Sequence, residues 1–415
     1  MKNANLYVKI LLLLFLFTQC VIICMNWDFP LHDDAYYYVH YAQECINNNT
    51  WYPAVHNIYD GYIFAPGYVN LLIFLHQLSG NFNVIKIVNL LLNIVLLYEV
   101  YYIASRIFTK QIGLLSSLLY MVTYSNIVLP IAPLSDLPFL FCMMSAVCFV
   151  LKNKWYYMIG AGVLIALGNW IRPLAVIYLV TIVVFMLLYK YRWRQYVLLS
   201  FSLFMTVFVI GKTAENRIRD FIFQSTTSGI NLAMGACGEA TGLMNKAFEK
   251  DSYYAEFFQH RDKYTYQERD KKLKELSISW ILNHPWKYVR QIPIKIAGLY
   301  SMDTWPDRVL PNSGLSQELP KAKGSFTRMT YLIGKLFLKS IVFYGVLFFF
   351  LVYVWRHKKQ LFQKDNVFLL VPLLGTAVTI IFVVLDRYHY PFMPFIIMYA
   401  SAAIYERYFL KKEKA

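Results

Sequence analysis

Leu6 to Met25 reads LYVKILLLLFLFTQCVIICM, and shortly after it the chain reaches Leu31-His32-Asp33-Asp34. Twenty residues whose one charge is Lys9 have the length a helix needs to cross a hydrocarbon core. A cleaved signal peptide is the alternative reading. No small-x-small site follows, and Phe17-Thr18-Gln19-Cys20 lacks a lipoprotein processing pattern, so the segment is expected to remain as a helix. A carboxylate at the edge of such a segment is costly and therefore points to a function.

The same punctuation recurs along the chain. Pro133-Leu134-Ser135-Asp136, Ile171-Arg172-Pro173 and Asp386-Arg387-Tyr388-His389-Tyr390-Pro391 each place charge at the end of an apolar run. The chain is 58% hydrophobic and 18% aromatic with only 15% charged residues, the composition of an integral membrane protein. Its net charge of +16 comes as short basic clusters between apolar runs. That distribution marks topology and does not form the aromatic-interleaved stripe of a nucleic-acid binder.

Apolar runs fall near 6–25, 84–106, 111–129, 137–151, 155–170, 173–189, 195–212, 331–355, 366–385 and 390–409. The expected fold is all-α and polytopic, with about ten transmembrane helices. A further run, 66–79, is too short to span and is expected to lie on the membrane surface as a helix in the first outer loop. Leaving it uncrossed collects Lys9, Arg106, Lys152, Lys154, Arg192, Arg194, Lys358, Lys359 and Lys411 on the cytoplasmic side, with both termini. The short loops opposite hold only Lys86, Arg172 and Arg387, as the positive-inside rule requires.

Asp34, Asp136, Arg172 and the 386–389 cluster then emerge on the non-cytoplasmic face together. Three parts follow: an N-terminal transmembrane module, 1–212, whose first outer loop is 26–83; an outer-face cap of mixed structure, 213–330; and a C-terminal module, 331–415. Within the cap, Tyr253 to Leu282 has the periodicity of one amphipathic helix. Trp280, Ile281, Pro285, Trp286, Tyr288 and Ile292 suit a lipid interface, as do most of the first loop's aromatics, among them Tyr59, Tyr62 and Phe64. Cys45 and Cys237 lie in polar regions and could pair, although no cysteine spacing marks a disulfide or metal framework.

Two acids brought together near a low-dielectric surface repel unless a cation lies between them. A carboxylate there can take a proton from an attacking hydroxyl or hold a divalent ion. Asp136, just before an apolar run, also suits a helix cap. Arg172 and Arg387 can hold phosphate bidentately and stay charged when desolvated. Pairing of Arg387 with its neighbour Asp386 is the plainer alternative.

In order and sidedness these motifs resemble the C-superfamily membrane glycosyltransferases, in particular the protein mannosyltransferase family and its aminoarabinose-to-lipid-A relatives. The resemblance rests on Asp34, Tyr38 and Ala42, then Trp51 and Pro53, and Pro66-Gly67-Tyr68. It continues through Leu134-Ser135-Asp136-Leu137-Pro138, Arg172-Pro173, Asn231 to Gly242, His284-Pro285, and Arg387-Tyr388-His389-Tyr390-Pro391. The family's Glu-Lys pair before the surface-helix proline is replaced here by Phe64-Ala65, so no metal or phosphate role transfers to that position.

The resemblance implies an inverting hexosyl- or pentosyltransferase in a bacterial plasma membrane. Its donor would be a sugar on polyprenyl phosphate, and its acceptor a glycan, lipid or protein. Asp34 would be the catalytic base and Asp136 a second catalytic carboxylate. Asp33, Arg172, Arg387, Tyr388 and His389 would bind substrate. The resemblance fixes no cofactor, and a divalent cation shared by the acids is the open option. Two other readings stand beside it: a polymerase or ligase of lipid-linked glycans, and a flippase or transporter, for which Glu99 inside the second run is the main pointer.

Overall fold

The computed structural model describes residues 2–28, 31, 33–52, 63, 65–218, 220–305, 326–361 and 363–408. His32, Pro53, Tyr59, Tyr62, Phe64 and Lys411 lie outside the described residues. Among the described residues the regular structure is helical, and the one β-contact is an isolated bridge between Leu243 and Val384.

Every expected apolar run carries a helix. These are α1 (Lys2–Met25), α4 (Val84–Ile107), α5 (Lys110–Val122) with α6 (Tyr124–Val128), α7 (Asp136–Leu151), α8 (Trp155–Ile171), α9 (Ala175–Leu188), α10 (Trp193–Ile218), α16 (Phe326–Arg356), α17 (Leu370–Ile381) and α18 (Met393–Tyr408). Among the described residues, four segments are long and apolar enough to cross a membrane: Val84–Ile107, Trp193–Ile218, Phe337–Arg356 and Lys364–Ile381.

The 111–129 run is not one straight span. It bends by 68° between Val122 and Tyr124, where Thr123 takes extended backbone angles and its hydroxyl bonds back to the Leu119 carbonyl. The helices at Asp136–Leu151, Trp155–Ile171 and Ala175–Leu188 are apolar but short.

α3 (Pro66–Ser79) has the bounds expected of the surface helix and starts on a proline, whose fixed φ suits a first helical turn. It buries Tyr68, Leu72 and Ile73 and leaves Phe74 and Leu78 exposed. Its approach to α8 is set by Gly67, where a Cβ would sit 2.6 Å from the Trp170 ring and 2.8 Å from that residue's carbonyl carbon. Gly162 does the same between α8 and α10, since a Cβ there would fall 2.4 Å from the Leu199 carbonyl oxygen. One continuous apolar core runs through these helices and into α16 to α18.

Residues 220–305 fold around a second cluster of Ala233, Met234, Cys237, Phe248, Tyr254, Phe257 and Leu273. The single amphipathic helix expected there is two helices, α12 (Ala255–His260) and α13 (Tyr266–Asn283). Thr265 and Glu268 form a capping box that starts α13 afresh. α11 (Ser228–Ala233) precedes them, and α14 (Pro285–Val289) and α15 (Ile292–Leu299) follow.

Trp280 is 3% exposed, so it is a core residue and not an interfacial one, while Trp286 is 74% exposed. This unit is stitched to the stretch before α18. Val383 N donates to the Asn231 carbonyl and Val384 N to the Gly242 carbonyl, at 3.2 and 3.3 Å. All six cysteines are free, Cys45 and Cys237 included, and each of those two is buried in a different cluster.

Candidate active site

The four charged clusters converge. Asp34 stands in the first turn of α2 (Asp33–Asn47), whose other face-mates Tyr38, Tyr41 and Ala42 are buried. Asp136 opens α7 and is 1% exposed. Arg172 follows the last turn of α8, and Arg387 lies in a 3-10 turn, Asp386–Phe392, that leads into α18.

Each carboxylate has its own guanidinium. Arg172 Nη1 donates to one oxygen of Asp136, and Arg387 Nη2 donates to one oxygen of Asp34. The two acids are thus paired separately. Asp386 accepts only the Arg387 backbone N–H, at 3.1 Å, so the side chain is free to reach across the fold.

Tyr388 sits between the two cations, its ring centroid 5.9 Å from each guanidinium carbon. Tyr38 links the loops through its hydroxyl, 3.4 Å from Ser135 Oγ. Burial pushes the Tyr38 phenol up, and the Asp34 carboxylate adds to the effect, so it stays protonated. Burial works against the charge on Arg387, but Asp34 and Asp136 outweigh it and its proton affinity rises.

His389 is 2% exposed and its Nδ1 lies 2.9 Å from the Leu299 carbonyl oxygen. A carbonyl can only accept, so Nδ1 carries the hydrogen and Nε2 is left facing Asp303 Oδ1 at 3.5 Å. Asp303 is itself anchored, with Oδ2 accepting from Ser125 N at 3.1 Å. Asp33, with a left-handed φ of 50° and an exposed side chain, joins neither ion pair.

Three contributors were not singled out in the sequence: Ser125, Asp303 and Trp305. Trp305 lies under Arg387, with 4.3 Å from ring centroid to guanidinium carbon. Asp303 follows the apolar α15, so the signal that marked the other acids, a carboxylate just past an apolar run, would also have marked it. These residues, with Asp136, Arg387 and His389, line one small pocket. Polar atoms without a hydrogen-bond partner point to its chemistry: Arg387 Nε and Nη1, Asp136 Oδ2, Ser125 Oγ and His389 Nε2. Two free guanidinium N–H groups on a stacked, buried arginine suit an anion.

A divalent cation does not fit this donor set. Both carboxylates face guanidinium groups, and no cluster of three His, Cys, Asp or Glu side chains occurs among the described residues. Glu99 is buried between α4 and α7, where Ser145 Oγ lies 2.5 Å from its carboxylate, a contact within the core.

Residues 65–229 match the family model of dolichyl-phosphate-mannose-protein mannosyltransferases. The structure superposes on the crystal structure of the Archaeoglobus fulgidus oligosaccharyltransferase in its apo form with a TM-score of 0.51 and 12% identity, over 98% of this chain and 52% of that one. The fold is shared with this oligosaccharyltransferase. The chain spans about half the length of the oligosaccharyltransferase. ArnT from Cupriavidus metallidurans, crystallised with undecaprenyl phosphate, aligns over 96% of this chain and 78% of its own at 10% identity and a TM-score of 0.40. No curated protein matches by sequence.

Proposed function

We propose that the chain transfers a sugar from a polyprenyl-phosphate donor to an acceptor at the non-cytoplasmic face of the cell membrane, with inversion at the anomeric carbon. The observation that carries this reading is Arg387. It is buried, stacked on Trp305, tied to Asp34 through one nitrogen and left with two unpartnered ones beside a small polar space.

In the proposed reaction the acceptor hydroxyl attacks the anomeric carbon as the bond from that carbon to the phosphate oxygen breaks. Asp34 takes the hydroxyl proton. The electron pair of the broken bond leaves with the polyprenyl phosphate, where Arg387 meets the charge that develops. Arg172 and Asp136 hold each other and fix Tyr388 between the cations; the unpaired Asp136 oxygen orients the acceptor. His389, held through Nδ1 by the Leu299 carbonyl, offers Nε2 to the same space.

About ten crossings, with both termini cytoplasmic, place these groups on one side. The Lys and Arg sidedness supports that topology. Purified protein in liposomes, given radiolabelled polyprenyl-phosphate hexoses and pentoses with a membrane extract as acceptor source, tests the reading. Label should move to the acceptor with inverted configuration by NMR. Translocation of donor without transfer would replace the transferase by a flippase.

A further inference from the structure

α2 has a second face. Tyr36, His40 and Gln43 lie opposite Asp34 and Tyr38 on the helix, since residues three and four apart share a side. They border a solvent-open groove of about 1020 Å³, closed on its far side by His76 and the Gly80 to Asn83 turn. Gly80 holds a φ of 70°, which ends α3, and a Cβ there would meet nothing within 4 Å.

The groove's chemistry is specific. Tyr36 and His40 stack with centroids 5.7 Å apart, and His76 packs on Phe82 at 4.4 Å, so flat ring faces line the walls. Amides and imidazoles supply hydrogen-bond donors and acceptors. The one charge among the lining residues, Asp28, already accepts from Asn83 Nδ2 at 3.1 Å. No lysine or arginine is among its described lining residues. Lys86 nearby turns its ammonium to the Asn26 and Trp27 carbonyls, at 2.8 and 2.5 Å.

Ring faces take the C–H face of a pyranose, and amides take its hydroxyls. Phosphate is best held by lysine or arginine, and the described lining residues include neither. Leu31 lines it too, just before α2 begins, so one end of the groove reaches the same end of the helix that carries the candidate base. We infer that the groove along the outer face of α2 is a subsite for an uncharged oligosaccharide, and that the acceptor is a neutral glycan. The acceptor assignment rests on the transferase reading above.

Saturation-transfer NMR on the full chain in nanodiscs, without donor, tests it with maltotriose, mannotriose and chitotriose, against mannose 6-phosphate. At least one neutral trisaccharide should receive saturation, and His76→Ala and Tyr36→Ala should each weaken its binding by about tenfold or more, with thermal unfolding unchanged. No saturation of any neutral trisaccharide, equal binding by both variants, or preference for the phosphorylated sugar would overturn the inference. Binding here without sugar transfer in liposomes would sink the transferase reading and leave the subsite; transfer without binding would do the reverse.

Discussion

Arg387 pairs with Asp34 across 353 positions of sequence, joining the turn before α18 to the first turn of α2. That single contact closes the site, because it brings the candidate base and the cation for the leaving group within one ion pair. It also sets what substitution should do.

Arg387→Lys keeps the charge but loses the planar fork and the stacking on Trp305. We expect sugar transfer to fall by about 10²-fold or more, the scale of losing one charge-stabilising donor, with unfolding little changed. Steady-state transfer at saturating donor measures it. Activity within a few-fold of wild type would remove the guanidinium from the chemistry.

Asp136→Asn should destabilise the fold, since it strands the part-buried Arg172 charge; the cost of breaking a fully buried pair, about 3–5 kcal/mol, is the upper bound. The double variant Asp136→Asn with Arg172→Gln should recover much of that stability without recovering transfer. Thermal unfolding in detergent separates the two effects. A single variant as stable as wild type would show the pair to be solvated.

Asp34, Asp136, Arg172 and Arg387 were legible in the sequence because each interrupts or ends an apolar run, where charge stands out. Which acid meets which arginine was not legible, since pairing depends on how α2, α7, α8 and α18 pack. Asp303 carried the same signal, a carboxylate just past the apolar α15, while Trp305 was one aromatic among many in the 213–330 segment and gave no contrast. The bend at Thr123 escaped because hydropathy runs unbroken through it, while the backbone does not.

Trp305→Leu should raise the KM for donor and leave the acceptor KM unchanged, because the indole holds Arg387 in place and touches none of the groove beside α2. Equal shifts in both constants would point to a general loss of structure.

Lys295 in α15 is fully buried, its ammonium 4.3 Å from the Tyr288 ring centroid and without a hydrogen-bond partner. Burial pushes it down to about 8. The unfolded chain then holds more protons than the folded one between about pH 8 and the ordinary lysine value of about 10.4, so stability contributed by this group rises with pH across that window. Lys295→Met should raise the unfolding temperature at pH 7, and the gain should shrink above pH 8. A destabilised variant at pH 7 would mean the ammonium has a solvated or paired environment.

The most direct test of the account is transfer by Asp34→Asn, with purified protein and radiolabelled polyprenyl-phosphate sugars, alongside thermal unfolding as a control for the lost ion pair. The account predicts that transfer falls by about 10²- to 10⁴-fold, the contribution of a positioned base, in protein that remains folded. Transfer at the wild-type rate would contradict it and remove Asp34 from the mechanism.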